Sequence, residues 1–218
     1  MMEAENIQKS YGKKQVLKGI SFVAEQGKCT GFIGANGCGK STLFRILAGI
    51  EKPDGGRLSP YRRKELAKHI GYVPQEDALL AEISVRDNLK LYEALAGRDG
   101  DKERTARLCR QFAIEAFERE KVGRLSGGMR KRVSIVCALL HQPDILIMDE
   151  PSTALDLIFK EELKRFIGSF TNAGGSVLIS SHDRGEIAVC DSIYAIREGK
   201  AFSVPVSLSM EEMVKAYM

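Results

Sequence analysis

A glycine-rich run of eight residues has the types and spacing needed to hold phosphate. Residues 34–41, G-A-N-G-C-G-K-S, match the pattern G-x-x-x-x-G-K-[ST] at every fixed position, after an apolar run and before a helical pattern. Glycines let the backbone wrap closely, so that successive N–H groups and a helix N-terminus point at phosphate oxygens. Lys40 would then reach the β- and γ-phosphates, and the hydroxyl of Ser41 would coordinate Mg²⁺. The candidate binding residues of this loop are Gly34, Ala35, Asn36, Gly37, Cys38, Gly39, Lys40, Ser41 and Thr42.

An acidic pair at the end of a second apolar run suits the rest of this chemistry. Residues 145–148, I-L-I-M, lead into Asp149 and Glu150, and Pro151 biases Glu150 away from helical geometry. Ligands of open α/β sheets bind beyond the carboxyl ends of the strands, so both carboxylates can face one crevice. Asp149 suits a Mg²⁺ ligand, and Glu150 suits a general base that polarises water. A solvated turn at the end of a strand is the weaker alternative, since beside the phosphate loop the pair indicates a P-loop nucleotide triphosphatase.

Five residues between these two motifs indicate the family. Residues 125–129, L-S-G-G-M, resemble the LSGGQ signature of ATP-binding-cassette (ABC) proteins at four of five positions, with Met129 where Gln is usual. Ser126 precedes a helical pattern, so this segment is a second helix end that can bind an anion. The resemblance implies a head-to-tail dimer in which ATP held by Lys40 of one copy meets Ser126 of the other. The presence of Met instead of Gln at position 129 leaves the residues that would touch phosphate intact. It bears only on the fine positioning of the partner's nucleotide.

Four further segments resemble landmarks of the same family and occur in its order. Gln75 follows a strand pattern like the family's Q-loop, and residues 152–156, S-T-A-L-D, look like its D-loop. His182 in S-S-H-D is similar to the residue that contacts the γ-phosphate, and Tyr11 in K-S-Y-G is similar to the aromatic that stacks on adenine. Three of them have a plainer alternative: a polar loop residue for Gln75, a helix cap for His182 and ordinary packing for Tyr11. The binding and catalytic candidates that the resemblance adds are Tyr11, Gln75, Ser126, Gly127, Gly128, Asp156 and His182.

The elements that must position these residues follow an alternating pattern. Short β-prone pieces occupy the first thirty residues, and strands alternate with helices after residue 143, which favours a mainly parallel sheet covered on both faces. Helical patterns dominate residues 84–117, with a loop at 97–100, and return after the glycine pair near 128. We therefore expect an α/β fold: a P-loop NTPase core with a mainly parallel sheet, a small N-terminal antiparallel β part and an inserted helical subdomain. The chain would be one ABC ATPase domain over 1–218, with its core at about 1–75 and 143–218 and the helical subdomain at about 76–142.

The composition limits which partners and which cellular location we expect for the chain. The 33 Lys and Arg residues exceed the 29 Asp and Glu residues by four, a mild excess that predicts no nucleic-acid partner. Five dispersed cysteines without C-x-x-C spacing are typical of reduced thiols. The most apolar stretches, such as residues 133–140, are too short to cross a bilayer. We expect a cytoplasmic protein, peripheral on the inner face of the cell membrane, and the resemblance implies a separate transmembrane permease subunit.

The resemblance implies an ATPase that powers transport by ATP-driven dimer closure. In this scheme ATP and Mg²⁺ are bound, a second copy or a similar subunit completes the dimer, and transport passes through the permease. The catalytic candidates are Lys40, Gln75, Glu150 and His182, and the metal candidates are Ser41, Gln75 and Asp149. A soluble ABC-type ATPase acting on DNA or ribosomes is the main alternative, although such proteins usually carry coiled-coil insertions or two cassettes. A small-molecule kinase and an inactive nucleotide-binding module fit the motifs less well. The cargo stays open, and an export-type motor is weakly favoured.

Overall fold

The computed structural model describes residues 1–61, 63–96, 101–152 and 155–217, and its elements form two sheets flanked by helices. The loop predicted at 97–100 and the D-loop residues Thr153 and Ala154 lie outside the described residues. The strands are β1 (Met2–Tyr11), β2 (Lys14–Ala24), β3 (Cys29–Ile33), β4 (Gly55–Ser59), β5 (Ile70–Val73), β6 (Ile145–Asp149), β7 (Ser176–Ser180), β8 (Ser192–Arg197) and β9 (Lys200–Val204). The helices are α1 (Lys40–Leu47), α2 (Arg63–His69), α3 (Val85–Leu95), α4 (Lys102–Gln111), α5 (Gly127–Leu139), α6 (Leu157–Asn172), α7 (Arg184–Ile187) and α8 (Met210–Tyr217).

The large sheet brings the predicted motifs to one edge. Its strand order is β5–β6–β7–β3–β8–β9, and all neighbouring strands are parallel except β9, which runs antiparallel to β8. The carboxyl ends of parallel strands meet at the same edge of a sheet, where ligands of α/β folds bind. The segments that follow β5, β6, β7 and β3 therefore lie side by side. They carry Gln75, Glu150, His182 and the phosphate loop, in that spatial order.

The small sheet is antiparallel, with strand order β2–β1–β4. It confirms the predicted antiparallel part, but its third strand, Gly55–Ser59, starts within the D-G-G run at 54–56, a pattern typical of a turn. The register explains this strand, since Glu3 pairs with Ser59 and Ala4 with Leu58. Backbone pairing with a distant strand is therefore what extends the turn into β4.

Alternation along the strands divides the hydrophobic core between the two faces of the large sheet. Ile145 and Ile147 of β6 pack on the face that α1 and the small sheet cover. Leu146 and Met148 of the same strand pack on the opposite face, against the helices. All four side chains are buried, so β6 is fixed on both sides up to Asp149. This burial on both faces is the reason that the strand is apolar throughout.

Within the described residues, three α-helices between β5 and β6 form the predicted helical part. α5 packs against α3, α4 and β5, which joins this part to the core. The helix after the glycine pair was predicted to start at Met129, and this was wrong by two residues. Ser126 is the N-cap of α5, and its hydroxyl accepts a hydrogen bond from the Met129 amide. The helix therefore includes both glycines. The fold class is confirmed, whereas the boundaries near 76 and 142 stay a prediction. Within the described residues, no helix combines the length and the apolar character that a membrane span requires.

Candidate active site

The phosphate loop connects β3 to α1 through backbone that only glycine adopts easily. Gly34, Gly37 and Gly39 have φ angles of 153°, 75° and 113°. A Cβ atom at Gly34 would lie 2.4 Å from the carbonyl oxygen of Ile196, so close approach to β8 also requires glycine there. The loop thus has the tight wrapping that the sequence predicted, with α1 starting at Lys40.

The ammonium of Lys40 is held inside this loop. Its side chain is only 5% exposed, and Nζ donates hydrogen bonds to the carbonyl oxygens of Gly34 (2.7 Å) and Ala35 (3.3 Å). Nζ also lies 3.4 Å from Nε2 of His182 and 3.9 Å from the carboxylate of Glu150. A buried cation needs such partners, and phosphate oxygens are stronger acceptors of the same kind.

Glu150 lies at the centre of the cluster in an unusual backbone conformation. Its φ is +48°, a left-handed value that is uncommon outside glycine. Its amide is fixed by the carbonyl oxygen (3.1 Å) and the hydroxyl (3.0 Å) of Ser180. Its carboxylate accepts a hydrogen bond from the Gln75 amide at 3.5 Å and lies 3.5 Å from Nε2 of His182. The structure therefore brings Lys40, Gln75, Glu150 and His182 together.

Ser180 is a site residue to which the sequence analysis gave no role. Its hydroxyl donates to Oδ1 of Asp149 at 2.5 Å while accepting from the Glu150 amide. Both contacts follow from sheet register, which pairs Asp149 with Ser180 across β6 and β7. The available signal was a hydroxyl at the carboxyl end of a strand, two residues before His182. Its use depended on knowing that β7 neighbours β6.

Two cavities open at this edge of the sheet. One of about 450 Å³ is lined by the phosphate loop, including Lys40 and Ser41, together with Gln75 and Glu150. The other, of about 650 Å³, is lined by Ser41, Gln75 and Asp149 among others. All three metal candidates thus face one space. Burial and the nearby Asp149 carboxylate raise the pKa of Tyr72, which lines the same cavity, above its ordinary value.

The signature segment lies elsewhere on the chain. Ser126 is exposed at the N-terminus of α5, and Gly127 and Gly128 form the first turn. Among the described residues that line the two cavities, none comes from residues 126–128. One copy therefore presents a phosphate loop and, separately, a helix N-terminus whose first amides have no partner within the helix.

Comparison with known proteins decides the family. A family model described as "ABC transporter" matches residues 17–153. The linearmycin resistance ATP-binding protein LnrL of Bacillus subtilis (strain 168) is 35% identical over 213 residues, which are 94% of this chain and 68% of the relative. The Nod factor export ATP-binding protein I of Burkholderia orbicola (strain AU 1054) is 35% identical over 208 residues, 91% of this chain and 68% of the relative. The chain belongs to the ABC transporter family.

Solved structures of ABC cassettes have the same fold. An ATP-binding subunit of an ABC transporter superposes with a TM-score of 0.88 at 25% identity, covering 99% of this chain and 98% of the other. A dimeric bacterial ABC transporter cassette superposes with a TM-score of 0.86 at 25% identity, covering 95% and 100%. The chain is an ABC ATP-binding subunit and an ATPase.

In this ABC subunit, Tyr11 stands beside the phosphate-loop helix. Its hydroxyl donates to Glu51 at 2.7 Å and accepts from Arg45, near the end of α1, at 3.3 Å. The residue is 44% exposed, and the ammonium of Lys9 lies 5.7 Å from the ring centroid. The ring is therefore anchored at its hydroxyl end while much of its surface stays accessible. Its stacking on adenine stays a prediction.

Replacing Tyr11 by Ala is expected to weaken ATP binding by about 1–3 kcal/mol, because an aromatic face contributes that much when it stacks on a base. Tyr11→Phe is the matched control: it keeps the ring and loses only the bonds to Glu51 and Arg45 within the protein, so ATP affinity should stay near the wild-type value. Calorimetric titration with an ATP analogue measures both. Unchanged affinity in Tyr11→Ala would make the ring a packing residue.

Asp156 has a structural contact of its own in this subunit. It is the N-cap of α6, and its carboxylate accepts a hydrogen bond from the Phe159 amide at 2.8 Å. It is exposed and, like Ser126, is absent from the described lining of both cavities. Leu157 and Ile158, the next two residues, are 75% and 71% exposed. Its contact with nucleotide stays a prediction that requires a second copy.

Proposed function

We propose that four residues at the carboxyl edge of the large sheet carry hydrolysis in this subunit, with Glu150 as the general base. The observation that supports this is the position of its carboxylate, within 3.9 Å of Lys40 and 3.5 Å of both Gln75 and His182. Enzymatic phosphoryl transfer depends mostly on positioning and on electrostatic stabilisation. Glu150 orients the attacking water and takes up its proton, with the Gln75 amide beside it. Lys40 and His182 stabilise charge on the transferring phosphoryl group.

We further propose that Ser41, Asp149 and Gln75 hold Mg²⁺. The donor set suits this ion, which takes oxygen ligands and usually keeps a few waters and substrate phosphates in its shell. The hydroxyl, the carboxylate and the amide oxygen line one cavity, next to the phosphate loop. Ser180 donates to one Asp149 oxygen and leaves the other free to coordinate. When bound, the ion would neutralise charge on the β- and γ-phosphates.

The second half of the ATP site is supplied, in this proposal, by another copy or a similar subunit. Ser126, Gly127 and Gly128 form an exposed helix N-terminus, which attracts anions through its free amides and its dipole. In a head-to-tail dimer this end would cover the γ-phosphate of the partner's ATP, and Asp156 would lie nearby. The two sites would then close together when ATP binds and open after hydrolysis.

The subunit would act on the cytoplasmic face of a membrane, attached to its permease, and would drive export. One relative supports this direction by its name, which is a Nod factor export ATP-binding protein. ATP hydrolysis by the isolated chain should then be slow, because closure of the dimer into its hydrolysing form would depend on the permease.

Reconstitution of the subunit with the membrane protein that co-purifies with it tests this role. We expect ATP turnover to rise by about fivefold or more in proteoliposomes, a typical size for coupling between partners. Glu150→Gln in the same vesicles is the control, and it should show no stimulated turnover. Binding to DNA or ribosomes, with no membrane association, would contradict the transporter role and support the soluble alternative.

A further inference from the structure

Helix α5 carries a buried ammonium that is hydrogen-bonded to the backbone of the segment containing Gln75. Lys131 of α5 is 3% exposed, and its Nζ donates hydrogen bonds to the carbonyl oxygens of Pro74 (2.8 Å) and Gln75 (3.0 Å). Oδ1 of Asp77 lies 3.0 Å from the same Nζ, as an ion pair rather than an aligned hydrogen bond. An ammonium has three donor hydrogens, and all three partners here come from residues 74–77.

These contacts fix the backbone from which Gln75 projects. β5 ends at Val73, so beyond it the backbone has no further ladder bonds to β6. The carbonyl groups of Pro74 and Gln75 are held by Lys131 instead, whereas the Gln75 side chain reaches the Glu150 carboxylate at 3.5 Å. Any displacement of α5 relative to the sheet would therefore be passed to the Gln75 amide.

The same helix begins at the site that meets the partner's nucleotide in the proposed dimer. Lys131 is five residues from Ser126, a distance of about 7.5 Å along a helix axis. A buried cation costs free energy unless it is paired, so separation of Lys131 from its three partners is disfavoured. We therefore expect the helix end at Ser126 and the backbone of Gln75 to move together.

We propose that Lys131 is a positioning residue that links the two ATP sites of the dimer. Closure of one copy's Ser126 end on the partner's ATP would shift α5, and Lys131 would carry that shift to Gln75 in the copy's own site. The inference rests on the proposed roles of Ser126 and Gln75. It adds that the position of Gln75 in each copy depends on whether ATP occupies the partner's site.

Lys131→Met tests the link, because it keeps the length of the side chain and removes its charge and its donors. Lys131 lies outside the lining of both cavities, so ATP binding to the isolated chain should stay within about twofold of wild type. The kcat should fall on the order of 10- to 100-fold, since small misplacements of a catalytic group have effects of this size. Lys131→Arg restores charge and donors and should recover most of the kcat.

Hydrogen exchange at the amides of residues 75–77 separates positioning from a merely structural role. In a Glu150→Gln background, ATP-driven dimerisation should slow exchange of these amides by about tenfold or more. With Lys131→Met added, the dimer should still form on size exclusion while the slowing is lost. Lys28→Met is the matched control, since it removes an ion pair of the same 3.0 Å length before β3, away from this edge. It should change neither readout.

Several outcomes would overturn the link. A kcat within about twofold of wild type in folded Lys131→Met, or undiminished slowing of exchange at residues 75–77, would make Lys131 a simple core ion pair. If Lys131→Met does not fold, Lys131→Gln takes its place, because it removes the charge and shortens the side chain that reaches the two carbonyl oxygens, and unchanged exchange and kcat in it would likewise contradict the proposal. Ser126→Ala and Gln75→Ala with full turnover would instead refute the underlying site roles.

Discussion

Glu150→Gln is expected to lower ATP turnover on the order of 10²- to 10⁴-fold, the usual contribution of a general base. The amide keeps the size of the side chain but cannot take a proton from water. ATP affinity should be unchanged or higher, because the mutation removes a negative charge 3.9 Å from Lys40, next to the expected γ-phosphate position. Phosphate release measures turnover, and size exclusion with ATP should show a trapped dimer.

Glu198→Gln is a suitable control for this variant. Glu198 shares the left-handed backbone of Glu150, with φ angles of 52° and 48°, but it lies in the exposed turn between β8 and β9. The same change there should leave turnover and dimerisation as in wild type. Near-normal hydrolysis in Glu150→Gln would remove Glu150 from the catalytic role and leave Asp149 or an unassigned group as the base.

Much of this site could be predicted because its motifs combine local geometry with local chemistry. The glycines of the phosphate loop specify a backbone that other residues avoid, and the run before Asp149 specifies a strand buried on both faces. Each pattern fixes the end of an element, and function lies at those ends. The resemblance then supplied Gln75 and His182, whose residue types alone left plainer interpretations open.

The parts that the sequence did not predict depend on partners far along the chain. β4 forms because it pairs with β1, and the turn pattern at its start does not indicate that pairing. Ser180 gains its role only from the register that sets it opposite Asp149. Lys131 belongs to the basic run R-K-R at 130–132, a pattern typical of a solvated helix face, yet it is buried because the segment after β5 folds over it. Periodicity within one element cannot report such contacts.

Lys40→Met should abolish productive ATP binding, with affinity falling by on the order of 1.5–3 kcal/mol for each lost bond to a charged phosphate oxygen. Methionine nearly matches the length of lysine and is apolar, so the buried position can accept it. What it lacks are the donors that reach Gly34, Ala35 and, in the complex, phosphate. Lys40→Arg should fail as well, because a planar guanidinium does not fit a loop built around a single ammonium.

The double variant Lys40→Met with Glu150→Gln shows how these two residues act on the nucleotide. In Lys40→Met, the Glu150 carboxylate loses its nearest cation and repels the γ-phosphate, so part of the affinity loss comes from an uncompensated charge. Adding Glu150→Gln removes that charge. ATP affinity should therefore recover in part, while hydrolysis stays absent because the base is missing. Residues in contact are expected to be non-additive in this way. Calorimetric titration of the four proteins of the cycle measures the interaction, and additive losses would mean that the two side chains act on ATP independently.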